Sequence, residues 1–127
     1  ALQRDNPEMP EYKLIRLVHD FIAVPDVAGH PMGAAVDLTI VDRGNNPVDM
    51  GNKISDYSNP DIIKTFAKVT PEQASYRKVL HDAMIAQGFA PFYGEWWHFS
   101  YGDREWAAFY GKKAAIYGTI NIFQCIE

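Results

Sequence analysis

The sequence predicts an α+β domain with a central antiparallel sheet and helices packed against it. Three observations carry that expectation. A capped apolar stripe at helical spacing begins at Thr70-Pro71, and short β-rich runs lie before and after it. The order helix, strand, helix, strands suits an antiparallel sheet better than an alternating parallel one. The length, 127 residues, fits a single domain; a chain of this size buries roughly 65% of the surface its unfolded form exposes.

Asn6-Pro7 reads as a helix cap followed by proline at the first helical position. Behind it Leu14, Leu17, Val18 and Phe21 repeat at helical spacing, with Ile15 and Ile22 beside them, and predict a helix over residues 8–20. Ile22-Ala23-Val24 allows a strand to begin there instead, and Pro25 stops either element. Prolines 25 and 31 with glycines 29 and 33 predict a turn-rich entry to the next element. Ala35 to Val41 alternates and is rich in β-branched residues, so a buried strand is expected. Asp42 to Pro60 reads as mostly loop, with a turn at Arg43-Gly44-Asn45-Asn46. So long a loop in a compact domain commonly serves as a lid or pocket wall.

Thr70-Pro71-Glu72-Gln73 is the clearest local signal in the chain. Thr70 can cap, Pro71 fits the first helical position and Gln73 completes a capping box. Tyr76, Val79, Leu80, Ala83 and Met84 form the expected apolar stripe, and Gly88 the stop. Phe89 to Tyr93 and Glu95 to Tyr101 read as two strands joined at Gly94, and Tyr117 to Phe123 as a last strand. No repeat, low-complexity segment or linker interrupts this order, so residues 1–127 are expected to form one domain.

Composition excludes several classes of function. A net charge of −4 without a basic run offers no stripe to track phosphates, so no nucleic-acid partner is expected. No apolar run approaches the roughly 20 residues of a membrane span. Cys125 is alone, which rules out an intrachain disulfide and a cysteine metal knuckle and fits a reducing compartment. The first residues lack an initiator Met and an apolar signal core, which predicts a processed or fragmentary chain.

The chemistry concentrates in Gly94-Glu95-Trp96-Trp97-His98, where a carboxylate and an imidazole lie close together among aromatic residues. His30 and Asp37, in the segment His30-Pro31-Met32-Gly33-Ala34-Ala35-Val36-Asp37, complete the parts of a hydrolytic zinc site. Tetrahedral catalytic zinc takes three protein ligands and leaves the fourth position to water. The residual positive charge lowers that water's pKa to about 7, and a carboxylate outside the ligand set can take its proton. Strand residues three or seven apart point to opposite faces. His30 and Asp37 therefore converge only if the backbone bends between them, for which Gly33 is well placed. Glu95 and His98 likewise need a turn or bulge, next to Gly94.

His30, Asp37 and His98 are therefore assigned as ligands of one Zn²⁺ on the sheet and Glu95 as the general base. In the alternative geometry Glu95 and His98 are both ligands on one helix face; Trp-Trp-His-Phe-Ser-Tyr favours a strand there. Ordinary readings stand beside these: His30 as a loop histidine, Trp96 and Trp97 as core, His19 and His81 as helix residues without a role. Arg77-Lys78 and Lys112-Lys113 read as solvated charges. Asp37, a lone acid at the head of an apolar strand, is harder to dismiss, because an unpaired buried carboxylate is costly. Tyr93, Trp96, Trp97 and Tyr101 are candidates for shaping a small pocket.

His30-x-x-Gly33-x-Ala35-x-Asp37-Leu38-Thr39 followed by Glu95-Trp96-Trp97-His98 resembles the D-alanyl-D-alanine dipeptidases, the VanX-like zinc metallopeptidases. The resemblance spans about residues 20–118, including Gly102-Asp103-Arg104-Glu105-Trp106 and Phe109-Tyr110-Gly111-Lys112. It implies an α+β zinc peptidase acting on D-Ala-D-Ala or a similar small cell-wall peptide. His30, Asp37 and His98 would then hold the metal, and Glu95 would act as base. Cytoplasmic placement follows from the family alone. Two positions depart from the family pattern. Ala28 stands where a serine is common, and nothing before His30 matches a Gly-Tyr-Arg type motif whose arginine stabilises the oxyanion; Arg4 and Arg16 lie in other contexts. Loss of such a donor costs about 100- to 1,000-fold in rate. The N-terminal part of the family pattern is thus expected to be absent from this chain, or the protein to be a weak relative.

Three competing functions remain open at this level. A related cell-wall carboxypeptidase or endopeptidase would share the fold, and a zinc-holding binding module would keep the ligands without turnover. Retention of Glu95 counts against the module. A non-haem iron oxygenase also uses two His and one carboxylate, but the seven-residue gap from His30 to Asp37 and the spare Glu95 argue against it.

Overall fold

The structure, a computed structural model, describes residues 29–118. The expected helix over 8–20, the strand option at Ile22-Ala23-Val24 and nearly all of the expected strand from Tyr117 to Phe123 lie outside those residues. The described part is α+β: three short antiparallel strands and two helices.

Strand β1 (Ala35–Asp37) and strand β2 (Ala90–Pro91) flank the central strand β3 (His98–Ser100). Ala35, Val36 and Asp37 lie opposite Ser100, Phe99 and His98, and on the other side Ala90 and Pro91 lie opposite Ser100 and Phe99. Every residue of β3 is buried. Pro91 fits because β2 is an edge strand, where a missing N–H costs no ladder bond.

The strands are shorter than their sequence patterns, for local reasons. The expected buried strand from Ala35 to Val41 pairs only as far as Asp37, and Val36 and Asp37 are exposed because β1 is an edge. Beyond it, the Asp42 carboxylate accepts from the amides of Gly44 (2.8 Å) and Asn46 (2.9 Å), which curls the chain into its own loop. That loop closes at the Val41–Pro47 bridge. Leu38 and Ile40 still pack into the core. The two strands expected to meet at Gly94 are separated by more than a hairpin tip. Residues 92–98 form successive turns, with Glu95 N on Phe92 O (3.0 Å) and His98 N on Glu95 O (3.4 Å).

Helix α1 (Pro71–Ala86) starts as expected. Thr70 accepts from Gln73 N, the Gln73 side chain accepts from Thr70 N, and Gly88 follows the end with a left-handed φ of 84°. Of the expected stripe, Tyr76, Leu80 and Met84 pack into the core. Val79 and Ala83 are exposed, while Arg77 and Leu80 point inward. Arg77 is no solvated charge: it is 2% exposed, and its guanidinium donates to Met50 O (2.9 Å) and Lys64 O (2.8 Å). Met50 O lies in irregular backbone that no ladder satisfies, and the arginine supplies its donor, whereas Lys64 O also accepts from Ala67 N (3.0 Å). Lys78 does remain exposed, paired with Asp82.

Helix α2 (Arg104–Phe109) was not expected. Asp103 caps it through Trp106 N (2.8 Å). Both helices pack against β2. The main core comprises Met50, Ile63, Leu80, Trp96, Trp97 and Phe99, and a smaller cluster joins Ala90, Trp106 and Ala107. Trp96 and Trp97 are therefore both core residues. Burying two rings of this size is worth several kcal/mol.

Candidate metal and catalytic site

His30 leads into the sheet through a tight turn. Gly33 N bonds His30 O (2.9 Å), Ala34 N bonds Gly29 O (2.9 Å), and Gly33 takes a φ of 66°, a conformation other residues adopt only under strain. This bend swings the His30 ring back over β1. Asp37 and His98 lie directly opposite in the β1–β3 register, so their side chains leave the same face of the sheet. The turn over Glu95–His98 then folds the Glu95 carboxylate back toward the same imidazole.

The structure brings all four expected residues together. His30 Nε2 lies 3.1 Å from His98 Nδ1 and 3.2 Å from Asp37 Oδ1, and His98 Nδ1 lies 3.3 Å from Asp37 Oδ1. Glu95 Oε2 stands 3.9 Å from His98 Nδ1, outside this triangle. Among the described residues, His30, Asp37 and His98 are the group able to hold a metal ion. The triangle tests that idea. Zinc–ligand bonds near 2.0–2.1 Å at tetrahedral angles put ligand atoms about 3.3 Å apart. Edges of 3.1, 3.2 and 3.3 Å match one face of such a tetrahedron. Two imidazoles and a carboxylate also suit zinc chemically.

The electrostatics are graded across the site. His98 is buried, and loss of solvent holds its pKa below the ordinary value, helped by His30 and opposed by Asp37. A neutral imidazole is the form that binds a metal. Burial also raises the Glu95 carboxyl, with Asp37 adding to the rise and the hydrogen bond from Tyr57 opposing it. Tyr57 OH donates to Glu95 Oε1 at 2.9 Å. Burial and that bond hold the phenol protonated well above its usual range. His30 is exposed and His98 buried, so the cluster opens to solvent on the His30 side.

Three neighbours of the cluster escaped the sequence reading. Tyr57 comes from the long loop, which had been expected to wall a pocket, but nothing local distinguishes it from Tyr76 or Tyr93. Glu105 places Oε2 3.7 Å from His98 Nε2; the signal that could have found it is Asp103 as an N-cap. Phe92 sets its ring edge-on to His98 at 5.8 Å between centroids. Of the expected pocket residues, Tyr93 stacks on His81 and Tyr101 packs on Trp106.

Residues 8–116 match the sequence pattern described as D-ala-D-ala dipeptidase. The chain belongs to that family. A D-alanyl-D-alanine dipeptidase from Synechocystis sp. is 33% identical over 136 residues, an alignment covering 91% of this chain and 55% of the relative. One from Escherichia coli K12 is 33% identical over 72 residues, covering 57% of this chain and 37% of the relative. The chain thus spans about half or less of the length of these dipeptidases. Among its described residues no helix is long and apolar enough to cross a membrane.

Proposed function

We propose that this member of the dipeptidase family is a zinc-dependent peptidase that hydrolyses D-Ala-D-Ala or a similar small cell-wall-derived dipeptide. The observation that carries the reading is the donor triangle of His30, Asp37 and His98 with the Glu95 carboxylate just outside it. The family supplies the substrate class.

His30 Nε2, Asp37 Oδ1 and His98 Nδ1 would hold the ion, whose chemistry is that of a Lewis acid lowering the pKa of water to about 7. Glu95 is the proton carrier. Its Oε1 is tied to Tyr57, which leaves Oε2 on the side of the cluster to receive a proton from the attacking water. As the water oxygen bonds to the peptide carbon, the C–N bond breaks, and Glu95 delivers the same proton to the leaving amine. Burial makes Glu95 a stronger base than an exposed glutamate. Tyr57 fixes the carboxylate's rotation, and Trp97, edge-on to the Tyr57 ring at 5.7 Å, backs it from the core.

Hydrolysis of D-Ala-D-Ala by the zinc-loaded chain, beside a Glu95→Ala control, tests the reading. Turnover abolished in the control supports it. One equivalent of zinc without cleavage would point instead to a zinc-holding module.

A further inference from the structure

We propose that Glu105 is a positioning residue for His98. It accepts a hydrogen bond from Nε2–H and so holds the ring proton there, which leaves Nδ1 bare toward His30 and Asp37. The inference rests on the metal reading above but concerns this chain's own hydrogen bonding.

His98 lies between two carboxylates on opposite edges of its ring. Asp37 Oδ1 stands 3.3 Å from Nδ1, and Glu105 Oε2 stands 3.7 Å from Nε2. A neutral imidazole carries one N–H, and the nitrogen without it can donate to a metal. The triangle needs a lone pair at Nδ1, because His30 Nε2 and Asp37 Oδ1 both converge there. The proton therefore belongs at Nε2, and the acceptor facing it is Glu105.

That oxygen has nothing else to do. Glu105 Oε2 is buried and has no hydrogen-bond partner, a state that is costly for a carboxylate. The 3.7 Å gap exceeds a hydrogen bond, but a shift of less than about 1 Å in a side chain 40% exposed closes it to about 2.9 Å. Placement of Glu105 is itself built in. Ser100 Oγ, on β3 two residues past His98, donates to Asp103 Oδ1 at 2.8 Å, and the same oxygen caps α2. This bond ties the first turn of α2, and Glu105 with it, to the strand carrying His98. Carboxylate partners on the far nitrogen of a metal-binding histidine orient the ring, and their loss weakens metal binding about 10- to 100-fold.

Zinc affinity by chelator competition and ring ¹⁵N NMR of His98, on the full chain and on Glu105→Ala and Glu105→Gln, test the proposal. We expect the proton on Nε2 in the parent. Zinc affinity should fall about 10- to 100-fold in Glu105→Ala and less in Glu105→Gln, whose amide oxygen still accepts. A merely structural glutamate would lower the unfolding midpoint and leave affinity within twofold in the folded variants, which overturns the idea. So does a parent His98 carrying its proton on Nδ1. Should Glu105→Ala fail to fold, Glu105→Leu, which keeps bulk but offers no acceptor, decides by the same twofold criterion. If the parent takes no zinc, the metal reading fails separately, and the parent's ring proton, with its redistribution in the variants, still decides the role of Glu105.

Discussion

Asp37 and His98 occupy one rung of the sheet, facing each other across β1 and β3, and this register sets Oδ1 and Nδ1 3.3 Å apart. The register is a property of backbone pairing, so it persists when either side chain is cut back. Asp37→Ala should keep the fold yet bind zinc at least 100-fold more weakly. Thermal unfolding with and without zinc checks this. Zinc at 100 times the parent's Kd should add about 2.7 kcal/mol to the parent's stability and no more than about 0.4 kcal/mol to the variant's. An equal shift in both would remove Asp37 from the ligand set.

Glu95 lies beside the triangle without completing it, and its two oxygens face different partners. Glu95→Gln keeps the shape and removes the base. Hydrolysis should fall by about 100- to 10,000-fold while zinc affinity stays within a few-fold. Loss of zinc in this variant would show Glu95 to be a ligand.

Tyr57 donates the hydrogen bond that opposes the burial-driven rise of the Glu95 carboxyl. As the proposed base, Glu95 must be ionised to work, so activity should decline on the acid side as it gains its proton. Tyr57→Phe removes a bond to the ionised form, which raises the pKa and moves this acid limb to higher pH. A pH–rate profile of kcat/KM for both proteins reads the shift. An unmoved or lowered limb would mean that Tyr57 does not act on the base.

Arg77 holds together backbone that the sheet does not reach, through the carbonyls of Met50 and Lys64. Its guanidinium also lies 5.6 Å from the Trp96 ring centre, next to Glu95. Arg77→Met fills the space but orphans the buried Met50 carbonyl, at about 1–3 kcal/mol, while Lys64 O keeps its bond from Ala67 N. Urea unfolding should show a lower midpoint with an unchanged slope. A loss under about 0.5 kcal/mol would place Arg77 with ordinary surface residues.

The parts read correctly from sequence are those whose cause is local. Thr70, Pro71 and Gln73 satisfy the first amides of α1 from within four residues, so α1 was legible without knowing its surroundings. The bend at Gly33 and the turn before His98 were legible as requirements, because strand periodicity forbids convergence without them. Asp103 was an equally local cap that went unread, and α2 and Glu105 were missed with it. Arg77 was misread because its charge says nothing about carbonyls 13 and 27 residues away.

By itself the sequence singled out four side chains, His30, Asp37, Glu95 and His98, which the fold brings together. Tertiary structure alone decided which atoms of them meet. The β1–β3 register chose Asp37 Oδ1 and His98 Nδ1, the loop at Tyr57 claimed one oxygen of Glu95, and α2 set Glu105 at the far edge of the imidazole. The physical reason is distance along the chain. Caps and turns act over a few residues, whereas these contacts join positions up to 68 residues apart and exist only once the core of Trp96, Trp97 and Phe99 has closed.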